Sequence, residues 1–200
     1  MSLFRRSPLL LAALVLGGVH AHGNVTPAAL FTNGAVLQRD KRVPIWGKAD
    51  PGEKVAVAFA GQRLETTTGS DGHWVIYLEP LATAKDGAEL TITGKNTMMV
   101  RDVIVGDVWL CAGQSNMEWP VARSADAARE IASGNFPLLR HIRIEQTVAE
   151  APGDSVRTGG GGNAAGWQTA TPLTVGNFTA VGYFFARDIH QKTGVPIGLI

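Results

Sequence analysis

Two hundred residues, 45% hydrophobic and 18% charged, are ordinary for a soluble globular chain of one or two compact domains, and they exclude intrinsic disorder. A formal charge of +1 offers no basic surface for nucleic acid, so no nucleic-acid partner is expected. The single cysteine, Cys111, cannot close an internal disulfide, which excludes a disulfide-stapled fold.

The chain opens with Arg5 and Arg6, the apolar run LLLAALVLGGV and then Val19-His20-Ala21, a small-x-small pattern suited to signal-peptide cleavage. Residues 1–21 are therefore expected to be a secretory signal peptide cut after Ala21, and the mature protein to be secreted or periplasmic. The run is about eleven residues, short of the roughly 20 needed to span a bilayer, and no later segment is long enough either. Losing both arginines takes the formal charge from +1 to −1.

From Phe31 to Val103, short extended segments alternate with turn signals. AVLQ, RVPIWG, KVAVAFA, QRLETTT, HWVIYLE, AELTITG and MMVRDVIV are separated by Asp50-Pro51-Gly52, Gly61, Gly69-Ser70-Asp71-Gly72 and Asp86-Gly87. Alternation such as Glu89-Leu90-Thr91-Ile92-Thr93 predicts antiparallel strands with one buried face. Their number and spacing predict a small β-sandwich, immunoglobulin-like or jelly-roll-like, over residues 24–103. Trp46 and Trp74 are expected to anchor its core, an exposed aromatic platform for sugar being the alternative.

Past residue 103 the pattern changes. Residues 104–111, IVGDVWLC, predict a strand covered on both faces in a parallel sheet, with Cys111 a buried small hydrophobe at its end. Ser124 is placed to cap a helix running to Ala132, with Asp126 in its first turn and Gly134 beyond its end. Residues 139–148 predict another strand. Phe178, Val181, Phe184, Phe185 and Ile189 recur mostly three or four apart, one face of a helix that Gly194 stops before a last strand at 195–200. Strand, helix, strand, helix, strand implies a parallel α/β unit over 104–200. The glycine-rich loop 152–166 fits neither phosphate-binding spacing, so no cofactor is expected. The histidines are scattered, so no metal is expected.

The stretch CAGQSNMEWP, residues 111–120, directly follows the first α/β strand. Ligands bind beyond the carboxyl ends of parallel strands, which is where Ser115 falls. A serine needs a base and fixed oxyanion donors to act as a nucleophile. Gly-x-Ser-Asn is also common turn chemistry, so position alone leaves both roles open. The nucleophile elbow G-x-S-x-G is not met, because Met117 stands in place of the last glycine.

Residues 108–120, VWLCAGQSNMEWP, resemble the nucleophile block of the sialate O-acetylesterase family within the SGNH hydrolases. Thr171-Pro172, FTAVGYFFA at 178–186 and GVPIGLI at 194–200 extend the likeness, and the β-rich half is similar to the domain such enzymes carry ahead of the catalytic one. The resemblance implies an incomplete SGNH-like α/β domain at 104–200 and removal of O-acetyl groups from a sialic acid or another acetylated glycan. It makes Ser115 the nucleophile, its own N–H an oxyanion donor, Gly113, Gln114 and Asn116 the residues that shape the turn, and Glu118 an anchor of the loop.

The family pattern continues with Asn-Ser-x-Trp-Gly-Gly, Gln-Gly-Glu-x-Asn and an Asp-x-x-His pair that supplies the base, all beyond Ile200. The chain is thus expected to be truncated and nearly inactive alone. No internal histidine has a spacing that predicts contact with Ser115: Asp188 and His190 are alternate residues on a helix, and His141 and His73 read as structural. The competing reading is a non-catalytic carbohydrate-binding or adhesion module in which the β-rich half does the work.

Overall fold

The computed structural model describes residues 24–151 and 153–200, so the expected signal peptide lies outside the described residues. The strands β1 (Thr26–Pro27), β2 (Val36–Gln38), β3 (Val43–Lys48), β4 (Lys54–Phe59), β5 (Gln62–Thr67), β6 (His73–Leu78), β7 (Ala84–Thr93) and β8 (Thr97–Trp109) come first. There follow α1 (Ser115–Glu118), a 3-10 turn at Val121–Arg123, α2 (Ala127–Ala132), β9 (Phe136–His141), β10 (Gln168–Ala170), a second 3-10 turn at Val175–Asn177, α3 (Ala180–Thr193) and β11 (Ile197–Leu199). No described helix is long and apolar enough to cross a membrane.

Strands β1, β3 and β6 form a small antiparallel sheet. Side chains alternate along it, so Val43, Ile45, Trp74, Ile76 and Leu78 point inward. They join Val55, Val57, Phe59, Leu90, Ile92 and Val103 of the larger sheet in one buried cluster. Trp74 is 3% exposed and sits in this core, whereas Trp46, expected there too, is 37% exposed. The period of two explains the difference: Trp46 follows inward-facing Ile45 and must face out, where its ring meets Phe31 edge-on at 4.8 Å.

The larger sheet runs β10-β9-β11-β8-β7-β4-β5, with β2 also paired to β8. The segments read as two strands, MMVRDVIV and IVGDVWLC, are one 13-residue strand, β8. Its first part pairs antiparallel with β7, and its later part pairs parallel with β2 and then β11. Val103 to Gly106 are buried, but Trp109 and Leu110 are 44% and 74% exposed, against the expectation of full cover. The reason is local: pairing with β7 ends at Val105 and with β2 at Gly106, so residues 107–109 have a hydrogen-bonded neighbour, β11, on one side only.

β11 lies between β8 and β9, parallel to both, with Leu199 level with Trp109 on one side and His141 on the other. The carboxyl ends of three parallel strands therefore line up in one row. α3 packs beside them through Ala180, Tyr183 and Ala186, in a second cluster with Leu139, Phe178, Ile197 and Leu199. Thr179 caps this helix by accepting from the Gly182 N–H, and Gly194 ends it in a left-handed conformation, φ 67°.

Two sequence expectations move here. Ser124 is not a helix cap: its hydroxyl donates to the Val121 carbonyl at 2.7 Å and closes the 3-10 turn, so α2 begins only at Ala127, after Asp126. The strand expected at 139–148 is instead β9, which begins at Phe136 and ends at His141: Ile142 N–H makes a last bond to the Leu199 carbonyl of β11, and beyond it Glu145 N–H turns to the Arg157 carbonyl.

Candidate active site

The peptide after β8 is held at both ends. Cys111 N–H donates to the Ile200 carbonyl at 2.6 Å, and residues 119–121 are stitched to the start of α3 by Ala180 N–H to Trp119 O, 2.8 Å, and Val121 N–H to Phe178 O, 3.0 Å. Between these anchors the chain makes one short helical turn, α1, which begins at Ser115. Gln114 precedes it with extended backbone and accepts from the Met117 N–H at 2.9 Å. A side chain on Gly113 would lie 3.2 Å from the Met117 Cβ, so glycine lets the turn close tightly.

Ser115 is exposed, and neither its hydroxyl nor its N–H has a hydrogen-bond partner among the described residues. Asn116 is exposed as well, and its carbonyl accepts from the Trp119 N–H at 3.4 Å. Glu118 accepts from Arg143, 3.4 Å, and from the Gln146 amide, which ties α1 to the segment after β9. Arg143 is itself braced. The four glycines 159–162 all have positive φ, and a side chain on Gly161 would sit 2.8 Å from the Arg143 guanidinium carbon. The glycine tract thus lies over the arginine that holds Glu118, a role its sequence pattern did not signal.

A cleft of about 300 Å³ opens beyond the aligned strand ends. It is lined by residues 110–114, Met117 and Glu118 after β8, His141 at the end of β9 with residues 142–144 and Gln146 after it, Ile200 after β11, and Thr179 at the head of α3. Gln114 and Met117 line it on either side of Ser115, which does not line it and faces solvent. Cys111, expected to be buried, is only half-buried at this wall, and burial pushes its thiol pKa up, away from reactive thiolate.

His141 lines the cleft too, although its sequence context pointed to no contact with this region. It is 5% exposed, and its ring lies against Phe178 with centroids 4.7 Å apart. The register of β9 against β11 brings it here, which no local signal in RHIRIE could reveal. The other described histidines are occupied elsewhere. His190 bonds the Val195 carbonyl at 2.7 Å near the far end of α3, and His73 pairs with Asp71 and Asp154.

Burial, and then the charge of Arg143, hold the His141 pKa at about 4. An unfolded histidine titrates near 6.5, so between the two values the unfolded chain binds more protons. The stability from this group is complete above pH 6.5 and is lost as pH falls toward 4, by up to about 3 kcal/mol. Urea unfolding followed from neutral pH down to pH 4 is expected to show this decline, and His141→Phe to flatten it. Equal declines in the two proteins would refute the assignment.

Most of the chain is similar in sequence to known proteins. Rat sialate O-acetylesterase is 32% identical over 193 residues, covering 86% of this chain and 34% of the rat protein. The human enzyme is 28% identical over 193 residues, covering 86% of this chain and 36% of its own length. The crystal structure of a carbohydrate acetylesterase from Xanthomonas citri superimposes with a TM-score of 0.80 at 39% identity, over 88% of this chain and 39% of that one. Over most of its length the chain is similar to sialate O-acetylesterases. No family model matches it. The chain spans about a third of the length of these rat and human relatives, and its sheet, mixed rather than purely parallel, shares the fold of the matched 39% of the Xanthomonas acetylesterase.

Proposed function

We propose that the protein is an exported serine esterase that removes O-acetyl groups from a carbohydrate, with Ser115 as nucleophile. The observation that carries this is the presentation of Ser115: a solvent-facing serine with an unpaired hydroxyl and an unpaired N–H, on a tight turn beyond three aligned parallel strand ends. The homology to enzymes named as sialate and carbohydrate acetylesterases supports the substrate class.

In this reading the Ser115 oxygen attacks the acetyl carbonyl, and the developing oxyanion is met by the Ser115 N–H. The sugar hydroxyl leaves, and water then releases acetate from the acetyl-serine. The serine proton needs a base with a pKa near the working pH. His141, held at about 4, is a poor acceptor at neutral pH. The base is proposed to come from outside residues 24–200, in keeping with the Asp-x-x-His pattern of the family, and residues 24–103 are proposed to be the β-rich domain ahead of the catalytic one. Glu118, bonded to Arg143 and Gln146, serves as the anchor of the turn.

The test is covalent labelling of the protein at its natural length with a fluorophosphonate, which reacts with activated serines. A mass increase on the peptide that contains Ser115, absent in Ser115→Ala, is the expected result. Labelling of a different serine, or none on folded protein, would sink the proposal.

A further inference from the structure

The wall of the cleft beside Ser115 holds a buried polar ring, that of His141, which the protein itself leaves unused. Arg143 and Gln146 both donate to Glu118, and the Thr179 hydroxyl donates to the Met117 sulfur at 3.5 Å. His141 has no hydrogen bond to either ring nitrogen among the described residues; its Nδ1 is sealed from solvent, which leaves Nε2 as the nitrogen that a ligand in the cleft can reach. A buried donor or acceptor left unmade costs stability that a phenylalanine stacked on Phe178 would not cost. A polar ring kept at such a place, on the wall of a cleft, implies a partner that arrives with the ligand.

The position of Ser115 says which part of the ligand that is. The serine stands outside the lining, so the ester carbon meets it at the mouth while the cleft receives the group attached to the ester. A neutral imidazole offers one donor and one acceptor, and a sugar hydroxyl offers both as well. Resting on the esterase reading above, we infer that His141 is a specificity residue that exchanges a hydrogen bond with a hydroxyl of the sugar carrying the acetyl group. The residue then acts on the choice of alcohol and not on the chemistry at the acetyl carbon.

The test compares kcat/KM on two substrates, using protein of natural length. One is an O-acetylated sialic acid or an acetylated xylo-oligosaccharide, whichever the wild type cleaves faster, and the other is p-nitrophenyl acetate, which has no sugar hydroxyl. His141→Phe, which keeps a ring against Phe178, is expected to lose about tenfold or more on the sugar ester and less than about threefold on p-nitrophenyl acetate. His141→Asn, with a hydrogen-bonding amide near the same place, is expected to recover most of the loss. The ratio of the two substrates is taken on each preparation, so misfolded protein cancels. An unchanged ratio in His141→Phe overturns the inference and leaves the esterase reading standing. Retained turnover in Ser115→Ala, or a wild type that cleaves neither sugar ester, overturns the esterase reading and the inference with it.

Discussion

Ser115→Ala is expected to lower ester hydrolysis by about three orders of magnitude or more and to leave the free energy of unfolding within about 0.5 kcal/mol of wild type. The two halves of this expectation come from the same geometry. The side chain is exposed and its hydroxyl has no partner, so its removal breaks no hydrogen bond among the described residues. Alanine is also the better helix former in the turn that Ser115 begins. Catalysis, by contrast, loses the atom that forms the acetyl bond, and what remains is the smaller contribution of substrate binding and oxyanion donors. The turn role that the sequence left open predicts the reverse, a stability cost with turnover little changed. Hydrolysis within tenfold of wild type would remove Ser115 from the chemistry.

Arg140→Leu is expected to destabilise the protein by about 3 kcal/mol, read by urea unfolding at neutral pH. Arg140 is 5% exposed and comes from β9, yet the partners of its guanidinium lie in the β-rich half. It donates to the Gly34 carbonyl at 2.8 Å, to the Asp102 carbonyl at 2.5 Å and to the Asp102 carboxylate at 3.0 Å. Asp102 holds the left-handed conformation, φ 57°, that places both of its oxygens. Leucine fills much of the volume but leaves two carbonyls without their donor, while the carboxylate, 59% exposed, is rescued by water. The cost therefore lies in the backbone acceptors more than in the ion pair, and Asp102→Asn, which keeps the carbonyl bond, is expected to cost less than half as much. A loss under about 1 kcal/mol for Arg140→Leu would mean that water replaces these bonds freely.

Much of the fold was legible because period and punctuation are local properties. Strands β2 to β6 follow the alternating segments closely, with Gly61 and Gly72 at positive φ in the turns between them. Helix α3 and its stop at Gly194 were carried by apolar spacing and by the one residue type that adopts φ 67° without strain. Where the fold departs from the sequence reading, two signals compete. Trp46 has the bulk of a core residue, but its place next to inward-facing Ile45 sets it outward. Ser124 has the chemistry of a helix cap, but a nearer carbonyl, that of Val121, takes its hydroxyl.

For the candidate site, the sequence by itself determined the block around Ser115, its place after a strand, and the glycine that lets the turn close. These depend on neighbours in the chain, and a short motif carries them whole. Only the tertiary structure decided what faces that block. The cleft needs β11 to enter between β8 and β9, which brings His141 level with Leu199 and Trp109 across chain separations that no periodicity records. It likewise needs the glycine tract to settle on Arg143, and Arg143 to reach Glu118. Register, burial and the pKa of a side chain are properties of the packed sheet, set by which strands become neighbours.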